Sequence, residues 1–151
     1  MQRVTSVRRA KAPDPAGAID HVVLDAEERH RRRAVLTGEA GTRFLLDLPH
    51  AMVLRDGDGL VLDDGSIVRV EAKSEPLCEV AAASGTELAR IAWHIGNRHI
   101  DVHVVGDRLR IRPDHVIEAM LIGLGARLTP IEAPFDPEPG AYASEHRHDH
   151  D

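Results

Sequence analysis

Ten of the 151 residues are histidine, and three of these, His146, His148 and His150, fall within the last six positions as His-Arg-His-Asp-His. In an extended chain the two-residue period brings all three imidazoles to one side, ~7 Å apart. Histidine titrates near ~6.5, so imidazoles are mostly neutral at cytoplasmic pH and can donate a lone pair. With Glu145, Asp149 and Asp151 beside them they suit Ni(II), Cu(II) or Zn(II), and the tail lacks the thiolates that Cu(I) prefers. Purification tags are uninterrupted runs, whereas this one is interspersed, so it reads as a native metal-binding tail.

The other histidines are less decisive. His99 follows a helix-breaking Gly96-Asn97-Arg98, and alone it has the standing of any surface or core histidine. His99, Asp101 and His103 alternate as they would on one strand face, resembling a two-His, one-carboxylate set, although one strand rarely closes a compact site. His94 and His99 are five apart and share no helical face. His115, in the first turn of a helix, should be neutral because the helix N-terminus disfavours cations, which suits a ligand and a bystander equally. His21, His30, His50 and His94 read as structural, and Cys78 as a small buried apolar residue. The chain has no His-Glu-x-x-His, Cys-x-x-Cys, Gly-x-Ser-x-Gly or Walker loop. Catalysis needs fixed ligands and an open coordination position, whereas tail ligands are mobile and suit transfer.

The elements that must position these residues change character midway. Ile19 to Asp25, Arg33 to Leu36 and Arg43 to Leu48 are short, branched or apolar segments that predict strands. Leu60 to Leu62 and Ile67 to Val70 flank Asp63-Asp64-Gly65-Ser66, which predicts a hairpin. A small all-β domain therefore ends near Val70, and polar Glu71 to Pro76 reads as the linker. Asp56-Gly57-Asp58-Gly59 lacks the third ligand position and the closing Glu of a calcium loop and reads as a turn. From Leu77 to Ala83 a strand is expected, and Ser84-Gly85-Thr86-Glu87 is a capping box for a helix with Leu88, Ile91, Ala92 and Ile95 on one face. Gly96-Asn97 should supply its left-handed terminator. His99 to Val105 and Arg108 to Arg112 then form a hairpin about Gly106-Asp107. Pro113-Asp114 opens a second helix with the stripe Val116, Ile117, Met120, Leu121 and Leu124, and Ala126 to Ile131 is a last strand. That order, β-α-β-β-α-β, is the ferredoxin-like arrangement. From Ala133 the Pro-, Glu- and His-rich remainder should be disordered. The expected fold is thus α+β: residues 1–75 a small all-β domain, 76–135 a ferredoxin-like domain, and 136–151 a disordered His-rich tail.

Composition narrows the function classes. The hydrophobic and charged fractions of 42% and 29% are those of a globular chain, and no apolar run approaches the ~20 residues of a membrane span. One cysteine cannot form an internal disulfide and the N-terminus has no apolar signal core, so a cytoplasmic location is expected. The net charge of −6 divides as +2 over residues 1–50 and −8 over the remainder, which disfavours nucleic acid as a partner of the second half. Aromatics at 3% offer few stacking platforms for RNA. Arg29, Arg31, Arg32 and Arg33 form a basic run that could guide an acidic partner, or simply a solvated surface.

Leu45-Leu46-Asp47-Leu48-Pro49 with the hairpin after it, Glu75-Pro76-Leu77, Trp93-His94-Ile95-Gly96-Asn97-Arg98-His99, Asp114-His115-Val116 and the His-rich end occur in one order. That order resembles the urease accessory nickel metallochaperone family over residues 3 to 151. The resemblance implies an N-terminal domain similar to a chaperone peptide-binding module and a C-terminal ferredoxin-like domain that makes a homodimer. It implies Ni(II) held by the motif histidine, here His99, of both subunits, with His146, His148 and His150 assisting. It further implies handover to the urease accessory GTPase and apo-urease complex, with no catalysis by the chain itself. A secondary metal-binding histidine of some relatives falls on His115, while Pro113 stands where others have a further His. The tail is short beside the most His-rich members, which argues against bulk nickel storage. Two other classes stay open: a metal-dependent enzyme using His99, Asp101 and His103, and a peptide-binding adaptor with incidental tail metal.

Overall fold

The computed structural model describes residues 1–10 and 17–138. They fall into two compact units that divide between Lys73 and Ser74. The first unit contains six strands: β1 (Gln2–Arg8), β2 (Asp20–Leu24), β3 (Arg33–Thr37), β4 (Arg43–Asp47), β5 (Gly59–Leu62) and β6 (Ile67–Ala72). They form one sheet in the order β2-β6-β5-β1-β4-β3. Alternating side chains from these strands bury Val4, Leu24, Phe44, Leu46, Leu60 and Val68 in a common core. The expected β5–β6 hairpin turns through Gly65 at φ 86°, a conformation a side chain would resist. Strand β1 was not among the expected elements. It lies inside the sheet, parallel to β4 and antiparallel to β5, with a bulge between Val4 and Ser6. Only Val4 of its seven residues is fully buried, so hydrophobic alternation could not reveal it.

Buried polar groups in this unit tie loops to strands. Asp58, only 1% exposed, pairs with Arg9 at 2.6 Å and accepts from the Ala10 and Arg55 amides at 3.0 and 2.7 Å. Asp56 accepts from the Ala72 amide, so both carboxylates of Asp56-Gly57-Asp58-Gly59 serve the backbone, in keeping with the expected turn. Asp20 accepts from the His21, Ala40 and Thr42 amides at 2.7, 2.8 and 3.0 Å, and Gly38 approaches so closely that a Cβ there would overlap the carboxylate. The basic run is not one solvated surface. Arg29 is fully buried and donates to the Leu24 and Leu54 carbonyls, and Arg32 donates to the Leu48 carbonyl, which leaves Arg31 and Arg33 exposed.

The second unit contains β7 (Ser74–Ala81), α1 (Gly85–Asn97), β8 (His103–Val105), β9 (Arg108–Ile111), α2 (His115–Gly123) and β10 (Arg127–Pro134). Its sheet order is β10-β7-β9-β8, each neighbouring pair antiparallel. The overall character is α+β, strand-rich with two helices. Ile91 and Ile95 of α1 and Ile117 and Leu121 of α2 pack with Cys78, Val80, Leu109 and Ile111 of the sheet. Each helix starts where its cap demands: Ser84 Oγ accepts from the Glu87 amide at 3.2 Å, and the Asp114 carboxylate accepts from the Val116 and Ile117 amides.

Four expectations change. The linker is not Glu71 to Pro76, because β6 continues to Ala72 and β7 begins at Ser74, polar residues being accommodated on exposed strand positions. The stripe of α2 is narrower than expected, since Val116 is 73% exposed and Leu124 lies beyond the helix, also exposed. The chain is ordered past Ala133: β10 runs to Pro134, which pairs with Ser74, Phe135 is fully buried, and Val102 bridges to Glu138. Buried Ala133, Phe135 and Pro137, with the ladder to β7, outweigh the polar composition there. His99 to Asp101 precede β8 and are not strand. The His-rich tail lies outside the described residues.

Candidate functional site

His99 closes α1. The Arg98 cap is followed by His99 at φ 61°, the one non-glycine residue with positive φ among the described residues. The His99 amide donates to the Gly96 carbonyl at 3.0 Å and the Ile100 amide to the Ile95 carbonyl at 3.4 Å. Those two bonds define a Schellman motif, with histidine in the left-handed place where glycine is usual. The expected terminator, Gly96-Asn97, lies instead in the last helical turn. Ile100 then packs against the core beside Ile95, so the motif fixes the backbone of an exposed imidazole. A left-handed non-glycine residue carries strain of about 1–3 kcal/mol, and such strain clusters at functional positions.

Beside His99 is a pocket of about 400 Å³, lined also by Ile100, Asp101, Ile111, Arg112, Pro113, Asp114 and Ile117. The end of α1, the end of β9 and the start of α2 therefore meet there. Asp101 pairs with Arg112 at 3.3 Å, and the Arg112 guanidinium lies 4.7 Å over the Phe135 ring. The Arg112 and Phe135 contribution has no local sequence signal, because it joins residues distant in the chain. Asp114 spends its carboxylate on the cap of α2, and its amide donates to Glu118 at 2.8 Å.

The structure separates the remaining candidates. His103, on β8, accepts from the Asp136 amide through Nδ1 at 3.2 Å and tilts against Phe135. His99, Asp101 and His103 thus do not share a strand face, and among the described residues no three His, Cys, Asp or Glu side chains are grouped to hold a metal ion. That removes the geometry on which the metal-dependent enzyme reading rested. His115 is the exposed first residue of α2. His94 lies in α1 edge-on to Trp93, with ring centroids 5.1 Å apart. Cys78 is buried, and desolvation with the nearby Glu118 charge pushes its thiol pKa up, away from thiolate chemistry. His146, His148 and His150 lie outside the described residues.

Comparison with known proteins supplies the lineage. The family model for the UreE urease accessory protein N-terminal domain matches residues 2–73, and that for the C-terminal domain matches residues 75–151. The chain belongs to the UreE urease accessory protein family. A relative from Rhodopseudomonas palustris strain BisB18 is 55% identical over 152 residues, covering 99% of this chain and 72% of the relative. One from Bradyrhizobium sp. strain BTAi1 is 56% identical over 135 residues, covering 89% and 66%. One from Beijerinckia indica is 49% identical over 152 residues, covering 100% and 87%. All three are named urease accessory protein UreE. This chain spans about two thirds of the Bradyrhizobium relative's length. The family's name is that of an accessory protein to an enzyme, not of an enzyme.

Proposed function

We propose that this chain acts in urease maturation as a nickel metallochaperone, binding Ni(II) as cargo and passing it to apo-urease. The observation that carries the reading is His99, an exposed imidazole held by a rigid helix terminus beside a pocket, in a member of the UreE urease accessory protein family. One histidine per chain makes a weak site, but a twofold axis beside it turns one residue into a facing pair. The acting species is then a homodimer formed by the second unit, whose strand order β10-β7-β9-β8 supports the ferredoxin-like reading. His146, His148 and His150, with Glu145, Asp149 and Asp151, supply exchangeable ligands that complete or replace the coordination shell as the partner approaches. The partner is the complex of apo-urease with the urease accessory GTPase, and the setting is the cytoplasm. Zn(II) and Cu(II) compete for the same imidazoles.

The test is calorimetric titration of Ni(II) into the apo-protein, with sedimentation for mass. Folded-domain ligands lose less entropy on binding than tail ligands, so His99 governs the tightest event. Replacing His99 should abolish that event and leave weak tail binding, while deleting residues 144–151 should leave it measurable. Wild-type binding in the His99 variant, with all binding lost on tail deletion, overturns the paired-His99 site.

A further inference from the structure

Strand β3 is an edge of the first unit's sheet, with no strand of described residues on its outer side. Its register with β4 pairs Arg33 with Asp47, Val35 with Leu45 and Thr37 with Arg43. The Leu48 amide donates to the Arg32 carbonyl and the Gly38 amide to the Thr42 carbonyl. Hydrogen-bonded residues alternate along an antiparallel pair, so residues 32, 34, 36 and 38 face β4. The amides and carbonyls of Arg33, Val35 and Thr37 therefore point away from the sheet. The side chains of the same three residues are exposed, Val35 by 50%.

Edges are usually protected by proline, by a bulge or by charge of the kind that repels any incoming strand. This strand has no proline and its register with β4 is unbroken, and it keeps a half-exposed valine at its centre. Its one charged residue is Arg33. Arg33 and, on the same sheet face, Arg43 and Arg3 oppose only Asp47, which lies 3.6 Å from Arg3. An antiparallel second copy of β3 centred on Val35 would set Arg33 opposite Thr37 and supply no opposite charge, whereas an acidic strand meets complementary charge.

We infer that β3 is a docking edge for an extended acidic segment of a partner protein, which adds as a further strand with carboxylates opposite Arg33 and Thr37 and an apolar residue opposite Val35. The backbone bonds give affinity and the outer-face side chains give selectivity. This surface belongs to the first unit and is independent of the nickel reading.

The probe is a capped peptide carrying Glu-Thr-Val-Thr-Glu, added to the full metal-free chain and followed by amide hydrogen exchange. The Arg33, Val35 and Thr37 amides should exchange readily in the free protein and slow about tenfold or more with peptide, while those of Ala34 and Leu36 stay protected throughout. A Lys-Thr-Val-Thr-Lys peptide should bind about tenfold more weakly, with the difference shrinking at high salt. Val35→Pro removes an outward amide without touching the β4 ladder, and should weaken binding about tenfold or more with an unchanged unfolding temperature. Arg33→Glu, the second variant, should invert the preference between the two peptides. No protection at these three amides, or equal binding of both peptides, overturns the inference. So does protection before peptide is added, which would mean that a second copy or the chain's own residues already cover the edge.

Discussion

At the scale of single residues, the left-handed His99 separates stability from ligation. Replacing it with glycine removes strain of about 1 kcal/mol and adds unfolded-state entropy of similar size, so His99→Gly should fold as stably as the parent while losing tight Ni(II) binding. His99→Val, β-branched at positive φ, should lose about 1–2 kcal/mol, measured by denaturant titration. Asp20 gives a pH prediction. The Ala40 amide, with further hydrogen bonds from Thr42 and His21, lowers its pKa from 3.8 to about 2 against the opposing effect of burial. A folded-state pKa below the unfolded value means a contribution present above pH ~4 and lost as pH falls toward ~2. Asp20→Asn should flatten the stability profile across that window, read from unfolding midpoints at successive pH values. Gly38→Ala should perturb the same site from outside, since its Cβ would overlap the carboxylate.

At the scale of elements, the segment after β10 is held by packing rather than by propensity. Phe135 is fully buried, Arg112 covers its ring, His103 accepts from the Asp136 amide, and Glu138 bridges to Val102. Glu138, the last described residue, is thus held at Val102, which lies three residues along the chain from His99. Phe135→Ala should cost about 3–5 kcal/mol and raise hydrogen exchange at Glu138 and Val102 together, because one anchor serves both. If the tail assists the His99 site, the same variant should weaken Ni(II) binding without altering any ligand. In the first unit Arg29 plays a comparable part, joining the end of β2 to Leu54 through buried carbonyls, so Arg29→Ala should lower thermal stability by about 2–4 kcal/mol.

At the scale of the whole molecule, the division between Lys73 and Ser74 gives each unit its own core. A chain of residues 74–151 should therefore fold and sediment as a dimer, and one of residues 1–73 should fold as a monomer, both checked by analytical ultracentrifugation. The reverse pattern would exchange the roles proposed for the units. No helix among the described residues is long and apolar enough to cross a membrane.

The sequence by itself determined most of the elements. Short branched or apolar segments and the Asp63-Asp64-Gly65-Ser66 turn marked β2 to β6, capping residues Ser84 and Asp114 marked the helix starts, and Gly106 marked the β8–β9 turn, because these are local signals. Gly-Asn-Arg-His followed by Asp-His-Val pointed to the family. Tertiary structure decided what depends on distant partners. It made β1 an interior strand despite its polar sequence, through hydrogen bonds to β4 and β5. It buried Arg29 from within an apparent charge run, and it ordered residues 133–138 through Phe135. It also placed His99 outside any strand, in a Schellman terminus closed by the His99–Gly96 and Ile100–Ile95 backbone bonds, with Ile95 in the core and Ile100 packed against it. Local patterns report which face of an element is apolar, but only the folded core decides which polar groups that core needs.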